Sequence, residues 1–176
     1  KVALPLPLTA NDVVERIADA AGPNTRLAII DHIASPTAIV FPVAEITRAL
    51  KAKGVRVMID GAHAVGQLPL DLPAIGADWY TANGHKWLFA PKGAAFLYAS
   101  EEVAGETVPL AVSHWHELKF PRAFDYVGTR DVTSFLSVPA AIEFVERFGA
   151  ARVRDYLAQL SRDGVAVVRR LGAEPI

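Results

Sequence analysis

The 176-residue sequence contains no cysteine. Within these residues that excludes a disulfide framework, a thiolate metal site and a cysteine nucleophile. It also lacks a charge excess: 18 Lys+Arg face 19 Asp+Glu, a formal net charge of −1. Such a balance supplies no basic field for nucleic acid and no cationic face for a membrane surface. No apolar run approaches the roughly 18 residues that a membrane span requires. The opening Lys1–Leu8 (KVALPLPL) lacks the layout of a signal peptide, and nothing in the sequence points outside the cytoplasm. There is no G-x-G-x-x-G, Walker A or H-E-x-x-H motif, and no G-x-S-x-G elbow. Those absences weigh in turn against nicotinamide, nucleotide, zincin and hydrolase chemistry.

What remains is a globular composition, 52% hydrophobic and 21% charged, in a length that suits one domain. Short apolar runs alternate with helical stripes. Thr9–Ala21 reads as a helix capped by Thr9 or Asn11, with Val13, Val14, Ile17 and Ala21 on its apolar face. Arg26–Ile33 reads as a buried strand. Pro42–Lys53 is helical, with Gly54 past its end. Val55–Asp60, Asp78–Ala82 and Gly93–Ala99 are further strands, Thr107–Val112 a fifth, and Leu72–Gly76 a helical turn. Ser113–Arg130 is too long and too aromatic for an ordinary connection. Helices opening at Ser137 and running from about Ala151 to Leu171 follow, the second striped by Val153, Leu157, Leu160, Val168 and Leu171. Strands alternating with helices predict an α/β fold, a mostly parallel sheet sandwiched by helices.

In such sheets ligands sit beyond the carboxyl ends of the strands, and the reactive side chains gather there. Lys86, in Gly84-His85-Lys86-Trp87-Leu88-Phe89, precedes three apolar residues. Desolvation lowers a lysine's pKa and yields the neutral amine that attacks a carbonyl; the alternative is a surface lysine lying over Trp87. Asp60 closes an apolar strand, where an unpaired charge is costly. It either pairs with a protonated pyridine nitrogen or caps the following turn. His63 lies where a ring donor reaches a phenolic oxygen or stacks on a flat ligand, unless the backbone satisfies it. His114 and His116 resemble a metal pair but have no third ligand at recognisable spacing, so no metal is expected.

These residues fall in a larger pattern. Val57–Gly66 (VMIDGAHAVG), Gly76-Ala77-Asp78, Gly84-His85-Lys86 and Pro91–Tyr98 (PKGAAFLY) resemble the class V aminotransferases, fold-type I enzymes dependent on pyridoxal 5′-phosphate (PLP). The isopenicillin N epimerase-like branch, beside the cysteine desulfurases and selenocysteine lyases, is most similar. The resemblance covers about Arg26 to Phe148, with Asp60 placed 26 positions before Lys86. It implies that Lys86 forms the internal aldimine and later shuttles the Cα proton, and that Asp60 pairs the pyridinium nitrogen. It puts His63 beside the phenolic oxygen and His85 on the phosphate. Asn83 stands where many members carry Ser or Thr for that phosphate. Ser35 and Thr37 match a loop that touches cofactor or substrate. Gly128-Thr129-Arg130-Asp131 resembles the segment that reaches the neighbouring subunit's phosphate through Thr129, which implies a homodimer with shared active sites.

The family is longer than this chain. Residues 1–176 therefore match the central and C-terminal part of the PLP-binding large domain, ending near Pro175-Ile176, without the small C-terminal domain. The family's N-terminal phosphate turn, its ring-stacking residue and its substrate-carboxylate arginine have no match here. Two readings follow: a PLP-dependent enzyme acting on an amino acid, with epimerase, transaminase or lyase/desulfurase outcome, or an α/β assembly module that keeps the fold without the chemistry.

Overall fold

The computed structural model describes residues 1–174. The expected end of the domain portion at Pro175-Ile176 lies outside them. In chain order the elements are α1 (Ala10–Ala20), β1 (Leu27–Asp31), α2 (Val43–Lys51), β2 (Arg56–Asp60), α3 (Leu72–Ile75), β3 (Trp79–Asn83), β4 (Ala95–Ala99), α4 (Glu101–Ala104), α5 (Arg122–Asp125), α6 (Thr133–Leu136), α7 (Val138–Phe148) and α8 (Ala150–Arg170). The sheet order is β1-β2-β3-β4. The first three strands are parallel and β4 runs antiparallel to β3. This is the mostly parallel α/β sheet that the alternation of elements implied.

The core follows from period-two burial along the strands. Val57 and Ile59 of β2, with Tyr80 and Ala82 of β3, are buried on one face against Ile46 and Leu50 of α2 and Val13 and Ile17 of α1. Each large aliphatic side chain buried there contributes about 1.5–3 kcal/mol. The opposite parity, Met58 and Asp60 on β2, is only half-buried. Thr9 caps α1 through a capping box: Asp12 N–H donates to Thr9 Oγ1 at 3.2 Å, and Thr9 N–H to Asp12 Oδ2 at 2.8 Å. The hydrogen bonds from Thr9 hold the Asp12 carboxyl below its ordinary pKa. Buried Asp78 ties two strands together, its Oδ2 accepting from Val57 N–H at 2.7 Å and its Oδ1 lying 3.4 Å from Lys51 Nζ.

Three expectations need correction. The strand within Arg26–Ile33 is not buried: β1 lies at the sheet edge, with Leu27 and Ile29 exposed. Thr107–Val112 is not a strand. Thr107 is held back on α4, its hydroxyl donating to Val103 O at 2.8 Å while accepting from Trp79 Nε1 at 2.8 Å. Pro109 then removes an N–H that a ladder would need, and Val108, Leu110 and Val112 are exposed. The stripe on the last helix, in turn, buries no residue among those described, and Leu160, Val168 and Leu171 are exposed. No helix among the described residues is long and apolar enough to cross a membrane.

Candidate active site

Asp60 ends β2 opposite Thr81 in the β2–β3 ladder. Its Oδ1 accepts from Ala62 N–H at 2.9 Å, which starts the turn carrying His63. Oδ2 meets no protein donor among the described residues. The turn-capping role and an open carboxylate oxygen therefore coexist in one side chain. Gly61 makes the turn follow the sheet closely: its N–H donates to Thr81 O at 2.8 Å. A Cβ at Gly61 would sit 2.1–2.2 Å from the Tyr80 ring, so no other residue fits without moving a buried aromatic.

Lys86 arrives from the neighbouring strand. The loop leaving β3 closes through Gly84 N–H to Ala94 O at 3.0 Å and Ala90 N–H to Gly84 O at 3.0 Å. Lys86 is half-buried in this loop, and its Nζ lies 3.0 Å from His63 Nε2. The contact works in two protonation forms: an ammonium donates to Nε2, or Nε2–H donates to a neutral amine. The forms differ by one proton moved along the contact. The main chain of the two turns also meets directly, since a Cβ on Gly66 (φ +91°) would lie 2.3 Å from Trp87 O. Beneath the turns, His32 Nδ1 and Tyr80 Oη share a buried hydrogen bond of 2.9 Å. Burial lowers the His32 pKa, and burial together with the nearby Asp60 charge raises that of Tyr80 well above its ordinary value. Sequence reasoning missed this pair. Sequence shows a histidine directly after an apolar strand but does not mark its partner 48 positions on.

The remaining expected residues divide. His85 Nδ1 is buried and has no hydrogen-bond partner among the described residues. Ser35 lines a cavity that His63 also lines. Thr37 does not join them; it lines another cavity with Leu4, Leu8 and Val13. Ala38, at φ +57°, and the Ala34 N–H to Ile39 O bond of 2.9 Å close a tight loop that separates Ser35 from Thr37. Asn83 lines a third cavity with Phe135 and Val138. Thr129 is exposed between α5 and α6. His114 stacks on Tyr126, with ring centroids 6.1 Å apart. Among the described residues no group of three or more His, Cys, Asp or Glu could hold a metal ion.

A cofactor carrying a protonated pyridine nitrogen, a phenolic oxygen, an aldehyde and a phosphate matches this donor set. Asp60 Oδ2 is open for the ring nitrogen, Lys86 Nζ for the aldehyde carbon, and the orphaned His85 Nδ1 for an anionic oxygen. The residues present fit PLP.

Comparison with known proteins agrees with this chemistry. The family model described as Aminotransferase class-V matches residues 5–173. Putative L-cysteine desulfhydrase 1 of Oryza sativa subsp. japonica is 40% identical over 158 residues, 84% of this chain and 33% of that protein. Isopenicillin N epimerase of Amycolatopsis lactamdurans is 35% identical over 166 residues, 86% of this chain and 42% of that one. Among solved structures, a C-DES mutant with glycine covalently linked to the PLP cofactor superposes with a TM-score of 0.75 at 30% identity. That match covers 84% of this chain and 42% of the other. The chain thus spans between a third and a little over two fifths of the length of these proteins.

Proposed function

This chain belongs to the class V aminotransferase family, and from that premise we propose that it is the central part of the PLP-binding large domain of an enzyme acting on an amino acid. The observation that carries the reading is the 3.0 Å contact between Lys86 Nζ and His63 Nε2, with Asp60 on the adjacent strand end.

PLP, when bound, supplies an aldehyde that condenses with an amine and a ring that withdraws electrons from the carbon bearing that amine. Asp60 Oδ2 holds the ring nitrogen protonated, which sustains that withdrawal. His85 donates through Nδ1 to the phosphate. Lys86 Nζ would hold the cofactor through its aldehyde carbon, the aldehyde oxygen leaving as water, and His63 Nε2, 3.0 Å away, would accept a proton that the amine gives up. With an amino acid in the site, the same Nζ would take the proton from the substrate Cα, and His63 would relay it onward. Ser35 borders the cavity next to His63 and belongs on the substrate side. Thr37 and Asn83 line other cavities, so the reading rests on Asp60, His63, His85, Lys86 and Ser35. The outcome after loss of the Cα proton is epimerisation, transamination or elimination with desulfuration. A homodimer sharing its sites is part of the same proposal, supported by the exposed Thr129 in the Gly128–Asp131 segment.

Mixing the intact protein with PLP gives a yellow, borohydride-reducible adduct that maps to Lys86 by peptide mass analysis. Labelling of Lys86→Ala to the wild-type extent refutes the assignment.

A further inference from the structure

His32 and Tyr80 are both buried, and neither has a part in the chemistry assigned to Asp60, His63, His85 and Lys86. His32 follows β1 and Tyr80 lies on β3. Their 2.9 Å bond between Nδ1 and Oη therefore spans β2, the strand between them, which ends at Asp60. The main chain makes the same junction. His32 N–H donates to Asp60 O at 2.8 Å on one side, and Gly61 N–H donates to Thr81 O at 2.8 Å on the other. The phenol closes the third side, since a Cβ on Gly61 would overlap Tyr80 Cε1, Cζ and Oη. The Asp60–Gly61 peptide is thus gripped at both edges by backbone and seated on the hydroxyl end of one ring.

That seat is held by the imidazole. Tyr80 Oη has no other hydrogen-bond partner among the described residues, and a buried hydroxyl without one is costly. Burial pushes the His32 pKa down, and burial with the nearby Asp60 charge pushes that of Tyr80 up. Both groups stay neutral near pH 7, so the bond offers no cation that would draw off the Asp60 charge. Asp60 Oδ1 is tied to Ala62 N–H at 2.9 Å within the same turn. The tilt of the turn consequently sets where the free Oδ2 points.

We propose that His32 and Tyr80 are positioning residues that aim the Asp60 carboxylate at the cofactor's ring nitrogen. Both act through the Asp60–Gly61 turn rather than on the cofactor. The inference rests on the reading of Asp60 as the partner of that nitrogen.

The test compares PLP with its analogue carrying C–H in place of the ring nitrogen, because only PLP offers Asp60 a partner. Dissociation constants for both are read from absorbance titrations of the intact protein, and their ratio is the preference for PLP. Asp60→Asn lowers that preference by about 10- to 100-fold, the range of a hydrogen bond to a charged group. Tyr80→Phe keeps the ring, removes one oxygen and lowers it by about 3- to 10-fold, the range of a neutral hydrogen bond. His32→Leu does the same, and the double variant is no worse than either single one, because all three remove one bond. His32→Asn holds the preference within about 1.5-fold of wild type, its amide standing where Nδ1 stood. A purely structural role would weaken both cofactors alike and leave the ratio untouched. An unchanged ratio in Tyr80→Phe, or additive losses in the double variant, overturns the proposal. So does a His32→Asn ratio as low as that of His32→Leu, which assigns the loss to the shape of the ring. Where His32→Leu does not fold, Tyr80→Phe decides alone. If Asp60→Asn keeps the wild-type ratio, the reading of Asp60 fails and the positioning role falls with it. If Asp60→Asn loses the preference and Tyr80→Phe does not, only the positioning role falls.

Discussion

Replacing Gly66 by alanine tests whether the turn after β2 positions the lysine loop. Gly66 has φ +91°, a conformation that costs an L-residue about 1–2 kcal/mol. The added Cβ would also lie 2.3 Å from Trp87 O and 2.6 Å from Trp87 C, so one of the two main chains must retreat by roughly 1 Å. Overpacking of that kind costs a further 1–3 kcal/mol or so, for a total of about 2–5 kcal/mol. Trp87 follows Lys86 directly, so the shift falls on the 3.0 Å contact with His63. A misplacement near 1 Å slows reaction by about 100-fold. Gly54→Ala is the control, because Gly54 has φ +73° but nothing within 4 Å of an added Cβ. It bears only the conformational cost and leaves the site alone. The assays are the urea unfolding free energy and the rate of borohydride-trapped PLP incorporation at Lys86. If Gly66→Ala is no more destabilising than Gly54→Ala and traps PLP at the wild-type rate, the positioning argument is wrong.

Two further outcomes concern the core. Asp78→Ala strands the Val57 N–H beside buried surface and costs about 1–3 kcal/mol, whereas Asp78→Asn keeps an acceptor and loses only the ion pair with the partly exposed Lys51, about 0–1 kcal/mol. Equal unfolding free energies for the two variants would show that the hydrogen bond is not what matters. Burial holds the His32 pKa below its usual 6.5, so as pH falls below 6.5 the unfolded chain takes up a proton before the native one does. His32 therefore lowers stability on acidification, and the loss grows as pH falls towards the native pKa. His32→Gln flattens the dependence between about pH 7.5 and 5.5 relative to wild type. Parallel urea-midpoint profiles would contradict this.

Much of the sheet and the reactive set is legible in local sequence. Val57 and Ile59 alternate with half-buried neighbours, and Val13 with Ile17 marks the inner face of α1, because periods of two and 3.6 survive in short windows. The gathering of Asp60, His63 and Lys86 follows from strand ends in a parallel sheet. Contacts between distant segments are not legible in this way. His32 meets Tyr80 across 48 positions, and no local pattern announces it. Thr37 reads as a neighbour of Ser35 until the Ala34–Ile39 bond turns the chain between them. Thr107–Val112 has apolar alternation, yet the Trp79 hydrogen bond to Thr107 and Pro109 determine its path.

The pairing of Asp60 with Thr81 sets how far apart two chemical functions can drift. Adjacent strands are about 4.8 Å apart wherever main-chain hydrogen bonds hold them. The acid and the amine-bearing loop are therefore measured by backbone rather than by side-chain packing. A ruler of that kind does not change when the surroundings do. Substitutions on α8, which lines the cavity next to His63, can reshape that cavity while the spacing stays fixed. A one-residue slip in β2, by contrast, would turn Asp60 to the other face. On the reading of Lys86 as the cofactor-bearing residue, the arrangement separates the spacing that any reaction there would need from the walls that can vary around it.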